Sequence, residues 1–371
     1  MTDLIEESVR VSELVAEHAR QAERDRHLDP KVFEAIRDAG FARHFVAARW
    51  GGTEGGFEPC LTAVVRLAER DPSAGWCAAI AATLSRMAGY LPEEGRRAVW
   101  ADGPDSFVVG ALVPGGLAVE ANGGWTLSGR WPYVSGIHAS DCALLACQVP
   151  MPDGSRQVRF LLVPRSSYRI EETWRTAGLR GTGSDTLVLD PTFVPVGHSF
   201  EHGDLVSGRE PGSAPGCLAV PLRSVSGLTF AAPVLGAARG ALDTWSRSVA
   251  RKRAAVPPRP EATATVELTL ARAAAEIDAA ELLLTRAAKD ADLGLSRDEP
   301  GGARAQRDQV FAVELLLDAV NRLLRTGGTG AQSEEEDLQR FWRDANAGAS
   351  HAVLQWEPAA RRFAAASLNG L

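Results

Sequence analysis

The first part of the chain carries the pattern of packed amphipathic helices. Between Leu4 and about Trp100, apolar residues recur every three or four positions, which is the period of one face of an α-helix. The pattern is interrupted at Pro30 and at the Gly51–Gly52 pair, because these residue types end helices or form turns. We therefore predict a helical domain over residues 1–105.

In the middle of the chain the pattern changes to short runs rich in β-branched and aliphatic residues. These runs lie between Ser106 and Phe200 and are separated by Gly, Pro and Asp, the residues typical of turns. They read SFVVGALV, WTLSG, DCALLACQV, VRFLLV and TLVLD. The pattern predicts a small antiparallel sheet or barrel, which forms a central β-domain over residues 106–205.

Helical periodicity returns in the last part of the chain. Residues 202–221 are so rich in Gly and Pro that they are predicted to be an irregular connector. Long segments with Ala and Leu stripes follow, as in an up-down bundle. They cover residues 224–251, 261–290, 306–325 and 335–368. The predicted fold class is thus α+β, with a helical domain, an antiparallel β-domain and a four-helix bundle over residues 222–371.

Composition narrows the classes of protein to consider. The 371 residues exceed what one hydrophobic core usually holds, so two or three lobes are expected. With 45% hydrophobic and 23% charged residues, and no uninterrupted apolar run of about 18 residues, the chain is predicted to be globular and not to span a membrane. The N-terminus is charged and amphipathic, unlike a secretion signal, which predicts a cytoplasmic protein.

Charge and cysteine usage exclude several kinds of site. A net charge of -7 argues against a nucleic-acid-binding surface, because neutralising phosphates requires a basic one. The five cysteines never form a Cys-x-x-Cys pair, so neither a disulfide framework nor a metal site is predicted. No Gly-x-Gly-x-x-Gly follows a predicted strand, which indicates that the chain carries no nicotinamide site of its own.

Several segments resemble, in the right order, the motifs of one enzyme superfamily. They are ERDPSAGW (69–76), LSGRWPYVSG (127–136), GLRGTGSDTLVLDPTFVP (178–195) and RTGGTGAQSEEEDLQRFWRDA (325–345). Together with the order of helical domain, β-domain and bundle, they make the chain similar to the acyl-CoA dehydrogenase superfamily over essentially its whole length. The resemblance implies the fold of that superfamily and a bound flavin.

The second of these segments contains the residues that the resemblance places on the flavin ring. In the superfamily an aromatic-aliphatic-hydroxyl triplet contacts the ring, and here the triplet reads Tyr133, Val134 and Ser135. The resemblance implies that Ser135 contacts flavin N5 or O4 and that Trp131 and Tyr133 lie beside the isoalloxazine. From the residue types alone, Ser135 could equally be a hydroxyl that caps a backbone group in a turn, and Trp131 and Tyr133 could equally be aromatic residues of the core.

Two other segments are candidates for contacts to the flavin phosphate or ribityl group. The run ARKRAAVPP resembles the superfamily's Arg-x-x-Phe-Gly segment, with Arg253 at the matching position but Val256 and Pro257 in place of Phe and Gly. Arginine commonly binds phosphate through two N–H groups of its guanidinium, although a basic run is also typical of a solvent-exposed surface. Gly327 and Gly328 allow either a tight turn or a close approach of backbone amides to a ligand. In the superfamily this arginine reaches a neighbouring subunit's flavin, which implies a homo-oligomer, expected to be a tetramer.

Two short segments favour one subgroup of the superfamily. GLRGTGS and RDANAGASH look like the two-component flavin monooxygenases, which take reduced flavin from a separate reductase. Counting from Arg343, some dehydrogenases carry a Tyr-Glu pair where this chain has His351 and Ala352. Without that carboxylate no group removes the α-proton of a thioester, whereas a histidine near the flavin suits acid–base work near neutral pH. His351 also lies in an apolar helical stretch, where from the residue types alone a histidine is more often a core residue than a site residue.

One position departs from this subgroup. Many of these monooxygenases carry a histidine on the last helix of the N-terminal domain, but no histidine lies between His44 and His138. Arg86, Met87 and Tyr90 occupy that helix instead. Either His138 or Tyr90 substitutes for the missing histidine, or the enzyme does not deprotonate a phenol in that way.

The predicted function is that of a flavin-dependent monooxygenase with His351 and Ser135 as catalytic residues. The resemblance implies reduced FMN or FAD from a separate NAD(P)H-dependent flavin reductase, and a C4a-hydroperoxyflavin that hydroxylates a small organic substrate, preferably aromatic or polyketide-like. One alternative is an acyl-CoA dehydrogenase-like flavoenzyme, for which Glu276 or Glu281 remains available as a base. The other is a non-catalytic flavin-binding homologue.

Overall fold

The N-terminal domain is helical, as predicted. The computed structural model describes residues 3–209, 216–255 and 260–368. Two of the first helices begin as their sequences require, with an aspartate that caps the helix and a proline in the first turn: Asp29 before Pro30, and Asp71 before Pro72. The helices are α1 (Leu4–Asp25), α2 (Pro30–Asp38), α3 (Phe57–Ala68), α4 (Pro72–Ala88) and α5 (Glu93–Trp100).

The central domain is a single sheet. Its strands are β1 (Val108–Ala121), β2 (Gly124–Val134), β3 (Cys142–Pro150), β4 (Arg156–Pro164), β5 (Arg169–Glu171), β6 (Asp185–Pro195) and β7 (Ser199–Glu201). Their spatial order is β5-β6-β2-β1-β3-β4-β7. The prediction of a purely antiparallel sheet is wrong at one pair, since β1 and β3 run parallel. The reason is geometric: β2 returns the chain to the end where β1 began, and β3 starts there on the other edge of β1.

The C-terminal domain is a helical bundle in which two predicted boundaries are wrong. The predicted connector begins with a short helix, whose C-terminus is closed by Gly208 at φ +66°. The predicted last helix is broken between Ala349 and Trp356, because the ring of Pro358 clashes with the carbonyl of Leu354 in a continuous helix. The helices are α6 (His202–Ser207), α7 (Leu222–Ala255), α8 (Pro260–Asp292), α9 (Glu299–Gly327), α10 (Asp337–Ala349) and α11 (Trp356–Leu368).

Helix α7 is the central element of the bundle and packs against α3, α4, α8, α9 and α10. Among the described residues it is the one helix that is long and apolar enough to cross a membrane by length and composition, and 78% of its apolar window is buried inside the protein. Small residues allow its close approach to the N-terminal domain: a Cβ on Gly236 would lie 2.4 Å from Ala68 Cβ of α3. One contiguous hydrophobic core therefore extends through the predicted domains, whose exact boundaries remain a prediction.

Candidate active site

The end of β2 is distorted at Tyr133. The pairing of β2 with β6 shifts register between Trp131 and Val134, and Tyr133 has φ of +64°. For a residue with a Cβ this left-handed conformation costs roughly 1–2 kcal/mol. The distortion leaves Tyr133 72% exposed, with its ring 6.1 Å from that of Trp174. A strained backbone that presents an aromatic ring on the surface is typical of a ligand-contacting position.

Trp131 and Val134, by contrast, lie in the core. Both are 0% exposed, and Trp131 Nε1 donates a hydrogen bond to Ala146 O at 2.7 Å. The indole packs so closely on β1 that a Cβ on Gly116 would lie 2.4 Å from its Cζ2. The expectation that Trp131 lies beside the isoalloxazine is therefore wrong, because an enclosed ring has no free face. Val134 can offer a cofactor only its backbone.

Ser135 belongs to a buried chain of hydroxyl groups. Its Oγ accepts a hydrogen bond from Trp76 Nε1 at 3.0 Å and lies 2.8 Å from Ser184 Oγ, which lies 2.6 Å from Thr182 Oγ1. Helix α4 provides Trp76, and the loop before β6 provides the other two hydroxyls. Ser135 is thus oriented from two sides and retains acceptor capacity for a further partner.

Trp76 also connects Ser135 to His351. The His351 ring stacks on Phe230 of α7, with ring centroids 3.7 Å apart and an interplanar angle of 18°. The centroids of His351 and Trp76 are 6.1 Å apart. The two predicted catalytic residues, which are distant in sequence, therefore lie near the same indole.

The surroundings of His351 favour a neutral imidazole. Burial lowers the pKa of His351 to about 4. Its Nδ1 accepts a long hydrogen bond from Val353 N, at 3.4 Å, so the ring proton is assigned to Nε2. Two expectations are wrong here: the group does not titrate near neutral pH, and the residue is not inside a helix but caps the short 3₁₀ helix Ala352–Leu354.

A buried charge cluster holds the loop behind Ser135 on α10. Asp344 Oδ1 accepts a hydrogen bond from Leu179 N at 2.6 Å, and a Cβ on Gly178 would lie 2.2 Å from Arg343 O. Arg340 is 6% exposed, and its Nη1 lies 3.6 Å from Asp71 Oδ1. Burial raises the pKa of Asp71 to about 6 and that of Asp344 to about 7. Because an arginine keeps its charge, we expect one of the two carboxyl groups to be ionised beside Arg340 while the other holds a proton.

The residues predicted to contact the flavin phosphate lie at the other end of α7. Lys252 Nζ donates to Gly327 O at 3.0 Å, so the exposed Arg253 is close to the Gly327–Gly328 turn. Gly328 has φ of +80° and open space where a Cβ would stand. Between Phe230 and Arg253, α7 rises by roughly 35 Å. Arg253 therefore cannot contact a flavin ring bound at Ser135 of the same chain. Val256 and Pro257 lie outside the described residues.

Both residues proposed to replace the missing histidine are engaged in hydrogen bonds. His138 Nε2 lies 2.7 Å from Asp185 Oδ2, and the other oxygen of Asp185 accepts a hydrogen bond from Thr173 N at 2.7 Å. The Tyr90 hydroxyl donates to the carbonyl of Leu218. Both side chains therefore hold neighbouring loops in place.

A small cleft with a cavity volume of about 30 Å³ begins within one turn of Trp76 and Phe230. It lies between α3, α4 and α7, and as it stands it has room for roughly two water molecules. Its walls are mainly apolar, with a hydrogen bond of 2.9 Å between the hydroxyls of Thr83 and Thr229. The lining residues are Phe45, Phe57, Cys60, Leu61, Val64, Ala79, Thr83, Arg86, Leu222, Val225, Ser226, Leu228, Thr229 and Ala232.

The alternative bases on α8 are engaged in ion pairs. Glu276 Oε1 lies 2.9 Å from Arg272 Nε and 2.8 Å from Arg322 Nη2. Glu281 pairs with Arg239. Within residues 3–209, 216–255 and 260–368, no group of three or more His, Cys, Asp or Glu side chains could hold a metal ion.

Sequence reasoning missed Phe230 as a site residue and assigned no role to Trp76 or Arg86. A signal existed for Arg86, which is the one charged residue of α4, a helix otherwise built of small and apolar residues. Phe230 had none, because one aromatic residue in an apolar helix is indistinguishable from a core residue.

Comparisons with known proteins agree with this architecture. The family model described as acyl-CoA dehydrogenase, C-terminal domain, matches residues 228–356. The structure of 3-HSA hydroxylase from Rhodococcus sp. RHA1 has a TM-score of 0.93 and 26% identity, covering 99% of this chain and 97% of that one. XiaF from Streptomyces sp. in complex with FADH2 and glycerol has a TM-score of 0.89 and 28% identity, covering 99% and 95%.

Similarity in sequence extends over nearly the whole chain. The FADH(2)-dependent resorcinol hydroxylase, oxygenase component, of Rhizobium sp. (strain MTP-10005) is 35% identical over 367 residues, covering 94% of this chain and 89% of the relative. The flavin-dependent monooxygenase, oxygenase subunit HsaA, of Mycobacterium tuberculosis (strain ATCC 25618 / H37Rv) is 32% identical over 355 residues, covering 91% and 88%. The predicted superfamily and fold class are confirmed, and the chain belongs to the oxygenase components of the two-component flavin-dependent monooxygenases.

Proposed function

We propose that this chain uses reduced flavin, supplied by a separate NAD(P)H-dependent reductase, and O2 to hydroxylate a small aromatic substrate. The observation that carries the proposal is the arrangement of Ser135 and a neutral His351 beside Trp76, next to an apolar cleft. The names of the relatives support it, since one is an FADH(2)-dependent resorcinol hydroxylase and a structural neighbour was solved with FADH2. These names also favour FAD over FMN.

The residues at the end of β2 fit a flavin ring. Tyr133 presents an exposed aromatic side chain, Val134 offers backbone groups, and Ser135 offers a hydroxyl that is already oriented. Reduced flavin bound there supplies the electrons that activate O2 and the route by which one oxygen atom reaches the substrate.

The protein's own residues orient groups and exclude water at this position. Phe230 and Trp76 enclose the His351 ring, and the Nε2 proton of that ring is available to an oxygen atom in the site. Because the imidazole is neutral, it can donate this hydrogen bond without bringing a buried positive charge. Ser135 Oγ is held in place by the hydrogen bond from Trp76 Nε1 and offers a second polar contact to the flavin.

A mixing experiment tests the proposed function. The purified protein, expected to retain little oxidised flavin, is mixed anaerobically with photoreduced FAD and then with oxygenated buffer containing phenols and resorcinols. Oxygen consumption with formation of hydroxylated product supports the proposal. Stoichiometric oxidised FAD that survives dialysis and is bleached by an acyl-CoA contradicts it in favour of a dehydrogenase, and no reaction with either partner indicates a non-catalytic homologue.

Substitutions at Tyr133 test the flavin contact separately from folding. Tyr133→Gly and Tyr133→Ala both remove the ring, so both are expected to weaken binding of reduced FAD by about tenfold, a stacking loss on the order of 1 kcal/mol. Only glycine relieves the strain of φ +64°, so Tyr133→Gly should be more stable than Tyr133→Ala by about 1 kcal/mol. Flavin titration and urea denaturation measure the two effects, and unchanged flavin affinity in both variants removes Tyr133 from the site.

We propose further that the enzyme is a homo-oligomer, with the tetramer as the expected state. Arg253, near the end of α7, lies too far along that helix to serve the ring site of its own chain, and Gly328 follows α9 beside the same end of α7. Both residues are exposed and are available to the flavin of a neighbouring subunit. Helix α8 exposes Leu268 and Leu282, each 73% exposed, as an apolar surface for such contacts. Light scattering at micromolar concentration checks this, and a stable monomer would remove Arg253 from the cofactor site.

A further inference from the structure

Arg86 is buried in the wall of the cleft and forms no ion pair with the residues that the structure describes. It is 1% exposed and comes from α4, one stripe of which also carries Trp76, Ala79 and Thr83 at helical spacing. No carboxylate of the described residues lies within 4.0 Å of its guanidinium. A buried charge is costly unless it is paired, so an unpaired arginine needs a physical reason.

The guanidinium is oriented by backbone groups, not by an acid. Nε and Nη2 donate to Cys217 O at 3.0 and 2.9 Å, and Nη2 also donates to the carbonyl of Val220. The guanidinium carbon stands 5.3 Å from the ring centroid of Phe57, another residue of the cleft wall. These contacts fix the plane of the guanidinium at the cleft without using a carboxylate of the described residues.

One nitrogen of this group remains available. Nη1 is buried and has no hydrogen-bond partner among the described residues. Asp292 caps α3 beside the cleft, and its two oxygens accept hydrogen bonds from the backbone N–H groups of Phe57 and Glu58 at 2.6 and 3.0 Å. The cleft therefore combines apolar walls, a hydroxyl pair and one unsatisfied cationic donor.

We propose that Arg86 binds an oxyanion substituent, a carboxylate by preference, on the aromatic substrate. Along α4, Arg86 is roughly 15 Å from Trp76, so the anion lies at the end of the cleft away from Ser135 and His351. The ring of the substrate then lies along the apolar walls between the charged end and the end near Trp76, and the side chains of these walls must move apart to admit it. This inference rests on the proposed function and names the substrate class, an aromatic acid, for the same site.

Matched ligands test the inference without flavin. The probes are 2-naphthoate and 2-naphthamide, and 3-phenylpropionate and 3-phenylpropionamide, which differ within each pair in charge and hardly in shape. In the wild type each carboxylate is expected to bind about 10- to 100-fold more tightly than its amide, the usual contribution of a hydrogen bond to a charged group. Calorimetry at pH 7.5 measures the ratio, and equal affinities or no binding of any probe overturns the inference.

Variants assign the preference to Arg86. Arg86→Met is expected to bring each pair within about twofold, and Arg86→Lys to retain part of the preference because it keeps a positive charge. If Arg86→Met does not fold because it lacks the hydrogen bonds to the carbonyls of Cys217 and Val220, the affinity ratios of the wild type and of Arg86→Lys test the inference. A preference that is unchanged in Arg86→Lys and Arg86→Met overturns the assignment.

Two controls separate other sources of the effect. Glu210, outside the described residues, is the acidic residue nearest to Cys217 in sequence, and Glu210→Gln is expected to leave the ratios unchanged. A tenfold rise in the ratios would show that Glu210 pairs with Arg86, which overturns the inference. 2-Naphthol, measured below and above the pKa of its hydroxyl, distinguishes a phenolate from a carboxylate as the bound anion, and tighter binding of the phenolate alone overturns the carboxylate preference.

Failure of the inference and failure of the proposed function are distinguishable. If the preference for carboxylates depends on Arg86 but the mixing experiment gives no product, the anion site is supported and the proposed hydroxylation is contradicted. Hydroxylation of phenols by a wild-type enzyme that binds each carboxylate no more tightly than its amide supports the proposed function and overturns the anion site.

Discussion

Replacing His351 by phenylalanine is expected to slow hydroxylation by about 10²- to 10⁴-fold, the usual cost of losing one group that holds or moves a proton. Phenylalanine keeps the stack on Phe230 but provides no N–H. Reduced flavin should still be oxidised, with the oxygen leaving as hydrogen peroxide instead of entering product. The measurement is the ratio of product to peroxide per flavin oxidised, at equal melting temperature.

Two further variants separate chemistry from packing at this position. His351→Asn keeps a side chain that can cap the 3₁₀ helix, and His351→Ala loses both the cap and the stack, so alanine should be the less stable of the two. Both should show the same loss of product. If His351→Ala retained full product yield and only melted several degrees lower, His351 would be a structural residue.

The depressed pKa of His351 gives a pH dependence with a defined sign. The folded protein keeps the imidazole neutral down to about pH 4, whereas the unfolded chain protonates it near 6.5. Unfolding therefore takes up a proton between these values, and this group's contribution to stability falls as pH drops from about 6.5 to about 4. His351→Phe should lose that part of the acid sensitivity.

The double substitution Asp71→Asn and Asp344→Asn is expected to lower the free energy of unfolding by about 3 kcal/mol, because it leaves the buried Arg340 with the partly exposed Asp337 in place of its buried carboxylates. Each single substitution should cost only about 1 kcal/mol, since the remaining carboxylate can ionise beside Arg340. Asparagine also keeps the cap of α4 and an acceptor for Leu179 N. Urea denaturation of the four proteins measures the non-additivity.

Asp337→Asn is the matched control for this pair. Asp337 lies 3.6 Å from Arg340 but is partly exposed, so its loss should cost well under 1 kcal/mol. Strictly additive effects of Asp71→Asn and Asp344→Asn would show that the two carboxylates do not share one charge. Because the pKa of Asp344 is raised to about 7, its contribution to stability falls as pH rises from about 4 to about 7, a slope that Asp344→Asn should remove.

The order of the domains, and whether each is helical or β, could be predicted from the sequence because both depend on the local period of apolar residues. Helical spacing before Trp100, alternating short runs after Ser106 and long apolar stripes after Leu222 all match observed elements. The predicted helix boundaries were wrong where a single residue interrupts or ends a helix against the hydrophobic pattern around it. Pro358 ends a helix that the stripe alone would continue, and Gly208 closes a short helix inside a segment that composition predicts to be irregular.

The candidate site could be predicted from the sequence only in part, since motif residues indicate a family but not the direction of each side chain. Tyr133 and Trp131 are two positions apart in one motif, yet the first is 72% exposed and the second 0% exposed. The register shift in β2, which follows from its pairing with β6, produces this difference. Sequence spacing contains no information on such a shift.

By itself the sequence determined the fold class, the superfamily and the candidacy of Ser135 and His351, because these depend on residue types and their order. Only the tertiary structure decided that burial keeps His351 neutral, that Trp76 and Phe230 join it to Ser135, and that Arg86 Nη1 has no hydrogen-bond partner among the described residues. The physical reason is that burial, stacking and charge compensation depend on which distant segments pack together. Helix α7 sets these contacts by bringing α4 and the segment after α10 to one place.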